Sequence, residues 1–85
     1  MTIDDFHNLS LSKIYIFECY YGKKYLGILV DDLQSTDVKG FLKYIVLNQN
    51  IRAFNDSKKN LIEKIQEGLM IPVNIQTITY WEEQP

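Results

Sequence analysis

The chain has 85 residues, 46% of them hydrophobic and 13% aromatic, with 9 basic and 11 acidic side chains and a net charge of −2. That length points to one small α+β domain spanning residues 1–85 with a thin stability margin, and the apolar content excludes general disorder. The mild negative charge argues against bulk attraction to nucleic acid or anionic membrane, and the lone Cys19 excludes an intrachain disulfide and a cysteine-built zinc site.

At the N-terminus Thr2 and Asp5 have the spacing of a capping box, with Asp in place of the usual Glu. Ile3, Phe6 and Leu9 follow at helical spacing, so Thr2 to Leu11 reads as either a turn or a short helix that needs docking to persist. From Lys13 to Asp31 the pattern becomes β-branched and aromatic, the signature of a β-hairpin. A two-residue loop at Gly22-Lys23 suits a type II′ turn and sets Tyr20 against Tyr25, Cys19 against Leu26, Phe17 against Ile28 and Tyr15 against Val30. In this register one face carries Tyr15, Phe17, Cys19, Leu26, Ile28 and Val30 without interruption. The other carries Ile14, Ile16, Tyr20, Tyr25 and Leu29, with Glu18 as its only mid-strand charge.

Asp31, Asp32 and a polar stretch then lead to Ser35 or Thr36 as a helix cap, with Asp37 near the positive end of the dipole. Val38, Phe41, Leu42 and Ile45 form a helical stripe that Tyr44, Val46 and Leu47 widen, and Gly40 permits close approach to the sheet. Ile51 to Phe54 reads as a short extended segment or loop. Asn55-Asp56-Ser57 opens a second helix over Lys58 to Glu67, which Gly68 stops. Pro72 introduces a last strand from Val73 to Trp81, and the tail is expected to fray. The order hairpin, helix, helix, strand predicts a two-layer α+β fold: a three-stranded, mainly antiparallel sheet with helices on one face.

Residues capable of chemistry are few. His7 lies near Asp4 and Asp5, without a second histidine or a cysteine to complete a metal site, and reads as a solvated side chain. Cys19 falls on the expected core face, where burial makes a thiol inert. Asp31, Asp32 and Asp37 match no calcium-loop spacing and are explained by helix capping and a polar loop. Gly22 and Gly27 lie within a hairpin and make no phosphate loop. No catalytic residue, metal site or cofactor is expected.

The apolar second face then becomes the feature that needs an occupant, because small proteins seldom leave large apolar patches bare. The N-terminal segment, a second copy of the chain, or another protein can cover it. The expected function is a non-enzymatic interaction or regulatory domain. Its partner-binding residues would be Ile14, Ile16, Tyr20, Tyr25 and Leu29, with Lys23 and Lys24 at the hairpin tip. The alternative is a nucleic-acid-binding module using the hairpin lysines and tyrosines, which the net charge disfavours. No basic n-region or long apolar run appears near Met1, and no stretch approaches the ~20 apolar residues of a membrane span, so a soluble cytoplasmic protein is expected.

Overall fold

A computed structural model describes residues 1–10, 13–30 and 42–85. Among the described residues five strands form one antiparallel sheet: β1 (Tyr15–Cys19), β2 (Lys24–Val30), β3 (Leu42–Leu47), β4 (Ile71–Asn74) and β5 (Ile78–Glu83). Their order across the sheet is β4-β3-β2-β1-β5. Three short α-helices among the described residues accompany them: α1 (Ile3–His7), α2 (Ile51–Asp56) and α3 (Leu61–Gln66). The α+β class agrees with the sequence, but the sheet has five strands where three were expected.

The two extra strands come from two segments. Leu42–Leu47, assigned above to the end of a helix, is β3. Its apolar character on all sides reflects a strand between two neighbours and covered on both faces, and its Tyr-Ile-Val run favours extended backbone. The rest of that expected helix, with Asp31, Asp32 and Asp37, lies outside the described residues. The single final strand is instead two, β4 and β5, separated by a 3-10 turn at Ile75–Thr77 that the Asn74 side chain caps. Ile51 to Phe54 is helical, within α2. The next helix starts later than expected because Asn60, whose side chain accepts the Glu63 N–H at 2.9 Å, is its cap. Gly68, with φ of +74°, follows its end.

β4 and β5 are opposite edges of the sheet, yet only three residues join them. In a flat sheet those edges would stand about 19 Å apart, whereas four residue steps reach at most about 14 Å. The sheet therefore curls, and its concave side encloses the core. Tyr15, Phe17 and Cys19 from β1 meet Leu29, Ile45, Val73, Ile75 and Ile78 there. Phe6 of α1 is buried on the same cluster, with Leu9 packed against it, and the Lys43 ammonium lies 5.2 Å from the Phe6 ring. The N-terminal segment thus covers the side carrying Tyr15 and Phe17, not the opposite one. With Leu42–Leu47 in the sheet, this concave side was left for α1 to close. The predicted capping box is present: Asp5 N–H donates to Thr2 Oγ1 and Thr2 N–H to Asp5 Oδ2.

Gly27 sits at the centre of the curl, opposite Tyr15 on one side and Leu47 on the other. A Cβ there would stand 1.8 Å from the Val46 carbonyl oxygen, so only glycine allows β2 and β3 to approach this closely.

Candidate functional site

The hairpin between β1 and β2 has a different register from the expected one. Tyr15 lies opposite Gly27, Ile16 opposite Leu26, Phe17 opposite Tyr25 and Glu18 opposite Lys24. The loop has three residues, Tyr20-Tyr21-Gly22, closed by Cys19 N–H to Lys23 O and Gly22 N–H to Cys19 O, both 2.9 Å. Gly22 takes φ of +85°, the left-handed third position of such a loop rather than the first position of a type II′ turn. The displacement is three residues, an odd number, so β2 exchanges its faces while β1 keeps them.

This exchange redistributes the predicted partner-binding residues. Ile14 and Ile16 stay on the convex face and are half-buried. Leu29 moves to the concave side and is buried, and Tyr25, opposite Phe17, packs against the same core. Their places on the convex face go to Leu26, Ile28 and Val30, of which Leu26 is exposed. Lys23 and Lys24, being consecutive, point to opposite sides. The Lys23 ammonium lies 5.5 Å from the Tyr25 ring, and Lys24 stands opposite Glu18. The convex face also has a covered part, because Val46, paired with Ile28, is fully buried, and Met70 just ahead of β4 is buried too. There β3 runs into a 3-10 turn at Asn48–Asn50 and then α2.

Tyr20 belongs to neither face. It and Tyr21 form the hairpin tip, 73% and 53% exposed, with their rings edge to face at 5.2 Å. The tip is anchored: Tyr20 N–H donates 2.9 Å to the Thr77 carbonyl, which ties the loop to the 3-10 turn before β5. Tyr21 is held above its ordinary pKa of 10.0 chiefly by the Cys19 thiol, then by the Tyr25 hydroxyl, so its hydroxyl stays a neutral donor. Beside the tip on the convex face runs a polar row of Lys24, Glu18 and Tyr80. The Tyr80 hydroxyl donates 2.8 Å to Glu82 Oε2, and the two carboxylates Glu82 and Glu18 raise its pKa, Glu82 through the larger effect.

Tyr21 and Leu26 were not among the residues singled out as a site, whereas Tyr80 can be read from the sequence as extending the second face. The signal for the first two was available in the sequence, since Tyr-Tyr-Gly also fits a three-residue loop with glycine third, and that choice puts Leu26 outside. Catalytic groups do not converge anywhere in the described structure. Cys19 is buried and accepts the Thr77 hydroxyl at 3.7 Å, and the His7 ring rests against Phe6 at 5.6 Å. Among the described residues no cluster of three or more His, Cys, Asp or Glu side chains can hold a metal ion, and no helix is long and apolar enough to cross a membrane. An open cleft of about 480 Å³ lies between the N-terminus and the 3-10 turn, lined by Met1, Thr2, Ile3 and Gln76, side chains without acid–base chemistry. The chain matches no known protein family, no curated protein and no solved structure.

Proposed function

We propose that the chain is a non-enzymatic interaction domain that engages a protein partner through its hairpin tip, with Tyr20 and Tyr21 as anchors. The observation that carries this reading is the pair of exposed, mutually packed tyrosines on a loop fixed by three main-chain hydrogen bonds. Tyrosine brings a large amphipathic surface to an interface and loses little conformational entropy on binding, least of all on a loop already held. Ile16, Leu26, Lys24 and Tyr80 on the adjoining convex face would form the apolar and polar border of the contact. Tyr25 and Leu29 would support the fold from the concave side. Lys23 over Tyr25 and Lys24 beside Glu18 are too dispersed for a phosphate-binding strip, which favours a protein over a nucleic acid.

Affinity capture with the intact chain and with the Tyr20→Ser/Tyr21→Ser variant tests this. Both positions are exposed, so the variant is expected to keep its melting temperature and lose the captured protein. Loss of a concentration-dependent dimer in light scattering would identify the partner as a second copy. A folded variant that keeps every partner and its oligomeric state would overturn the proposal, as would salt-dependent binding of oligonucleotides that survives the substitutions.

A further inference from the structure

We propose that the free edge of β5 accepts an extended cationic segment of a partner protein by strand addition, paired to the main chain of Trp81 and Glu83. This surface is distinct from the hairpin tip and does not depend on it. The open groups follow from the hydrogen-bond alternation of β1. Cys19 N–H donates to Lys23, so odd-numbered β1 residues bond toward β2. Tyr20 N–H donates to Thr77 O and Gln84 N–H to Ile14 O, so even-numbered ones bond toward β5. In the register of β1 with β5, Ile16 with Glu82 and Glu18 with Tyr80 therefore exchange hydrogen bonds. Trp81, opposite Phe17, and Glu83, opposite Tyr15, turn their N–H and C=O groups away from the sheet. Those groups have no partner among the described residues.

The start of the same edge is closed. Ile78 also faces outward, but its N–H donates to Ile75 O in the 3-10 turn and its carbonyl accepts the Met1 amine. The opposite edge of the sheet is guarded differently: β4 has four residues, and one is Pro72, which has no N–H to offer. β5 has six residues, contains neither proline nor lysine, and carries its one irregularity near its start, between the partners of Glu18 and Cys19. Edge strands of this kind are templates for an incoming strand.

Charge selects the occupant. A second copy would have to pair β5 with itself across a two-fold axis, and three registers bring the outward groups together. Centring on Glu83 sets that side chain against its own copy and Trp81 against Pro85, which has no N–H. Centring on Glu82 brings the Cβ atoms of the two Glu82 side chains to roughly 4.5–5.5 Å, so that like charges oppose one another, which is repulsive. Centring on Trp81 runs Glu83 against Thr79 at the irregular step, beside the carbonyl that Met1 already occupies. An incoming Lys or Arg opposite Glu82 meets attraction instead, reinforced by Glu18 one strand further in, on the same face. The opposing side of the added strand would face Trp81, which packs against the core, and so takes an apolar residue. The expected ligand therefore alternates cationic and apolar residues.

The isotope-labelled full chain and a synthetic peptide of alternating valine and lysine test this at low salt. Amide exchange at Trp81 and Glu83 is expected to be fast in the free protein and slowed by the peptide, with saturable shifts centred on β5. Fluorescence of Trp81, the only tryptophan, should report the same midpoint. Glu82→Lys, an exposed substitution, is expected to keep the fold and weaken binding about fivefold or more, while improving it for the alternating valine–glutamate peptide. Slow exchange at Trp81 and Glu83 in the free monomer would overturn the proposal. So would shifts centred elsewhere, no saturable response, or unchanged affinity in folded Glu82→Lys.

Discussion

Replacing Gly27 by alanine separates two opposing effects at one position. Alanine in a strand loses less conformational entropy than glycine on folding, which alone would stabilise the fold by about 0.5–1 kcal/mol. Against this, the added Cβ would lie 1.8 Å from the Val46 carbonyl oxygen and 2.7 Å from its carbon, both main-chain atoms that cannot swing aside. β3 must therefore move by more than 1 Å at Val46 and Leu47, where Val46 is fully buried. Losing one ladder hydrogen bond costs about 0.5–1.5 kcal/mol, and overpacking about 1–3 kcal/mol. The net expectation is a loss of about 0.5–4 kcal/mol, centred on about 2 kcal/mol, from a total of about 4–13 kcal/mol for a chain of this length. At about 4–8 °C per kcal/mol the central value lowers the melting temperature by about 8–16 °C. Thermal and urea unfolding followed by circular dichroism measure this directly. Gly22→Ala is the control: nothing lies within 4 Å of its Cβ, and only the φ of +85° opposes it, at about 1–2 kcal/mol. A Gly27→Ala protein as stable as the parent would refute the close approach of β2 and β3.

Two further outcomes follow from α1. Phe6→Ala removes the ring that closes the concave core beneath Lys43, and should cost about 3–5 kcal/mol in urea unfolding. The Asp5 carboxyl, whose pKa is held below 3.8 first by the Thr2 N–H and then by the Thr2 hydroxyl, favours the folded state when ionised. Its contribution is therefore present above 3.8 and is lost as pH falls through its depressed value. Carbon NMR should find its midpoint below 3.8, and Thr2→Ala should move that midpoint part of the way back.

How much of this was legible depended on whether a local signal had one meaning. The β1 strand and Gly68 after α3 have signals that only one structure satisfies, whereas Thr2 with Asp5 marked a cap and left a turn open beside the helix. The hairpin register did not, because Leu26, Ile28 and Val30 are as apolar as Tyr25 and Leu29. With both faces hydrophobic, pattern cannot choose between registers, and the loop type decides. Gly22 supplies a positive φ equally well to a two-residue and a three-residue loop. Leu42–Leu47 misled for a related reason, since an apolar run without alternation fits a buried helix face as well as an interior strand. The break between β4 and β5 was marked only by Asn74, whose side chain caps the turn. The tyrosine tip was visible in composition, yet its separation from Tyr25 required the register.

The pairing of β1 with β5 has a kinetic meaning as well. On one side β1 meets β2 across a three-residue loop, whereas on the other it waits for a strand near the far end of the chain. Closing that longer loop costs on the order of 2–3 kcal/mol more chain entropy than closing the hairpin. Contacts so distant in sequence slow folding relative to those of a helical protein of equal size. Until β5 arrives, Phe17 lacks Trp81 opposite it and one edge of β1 stands open to other chains. The hairpin is thus the natural nucleus, and the seam between first and last strand is the step at which folding competes with aggregation.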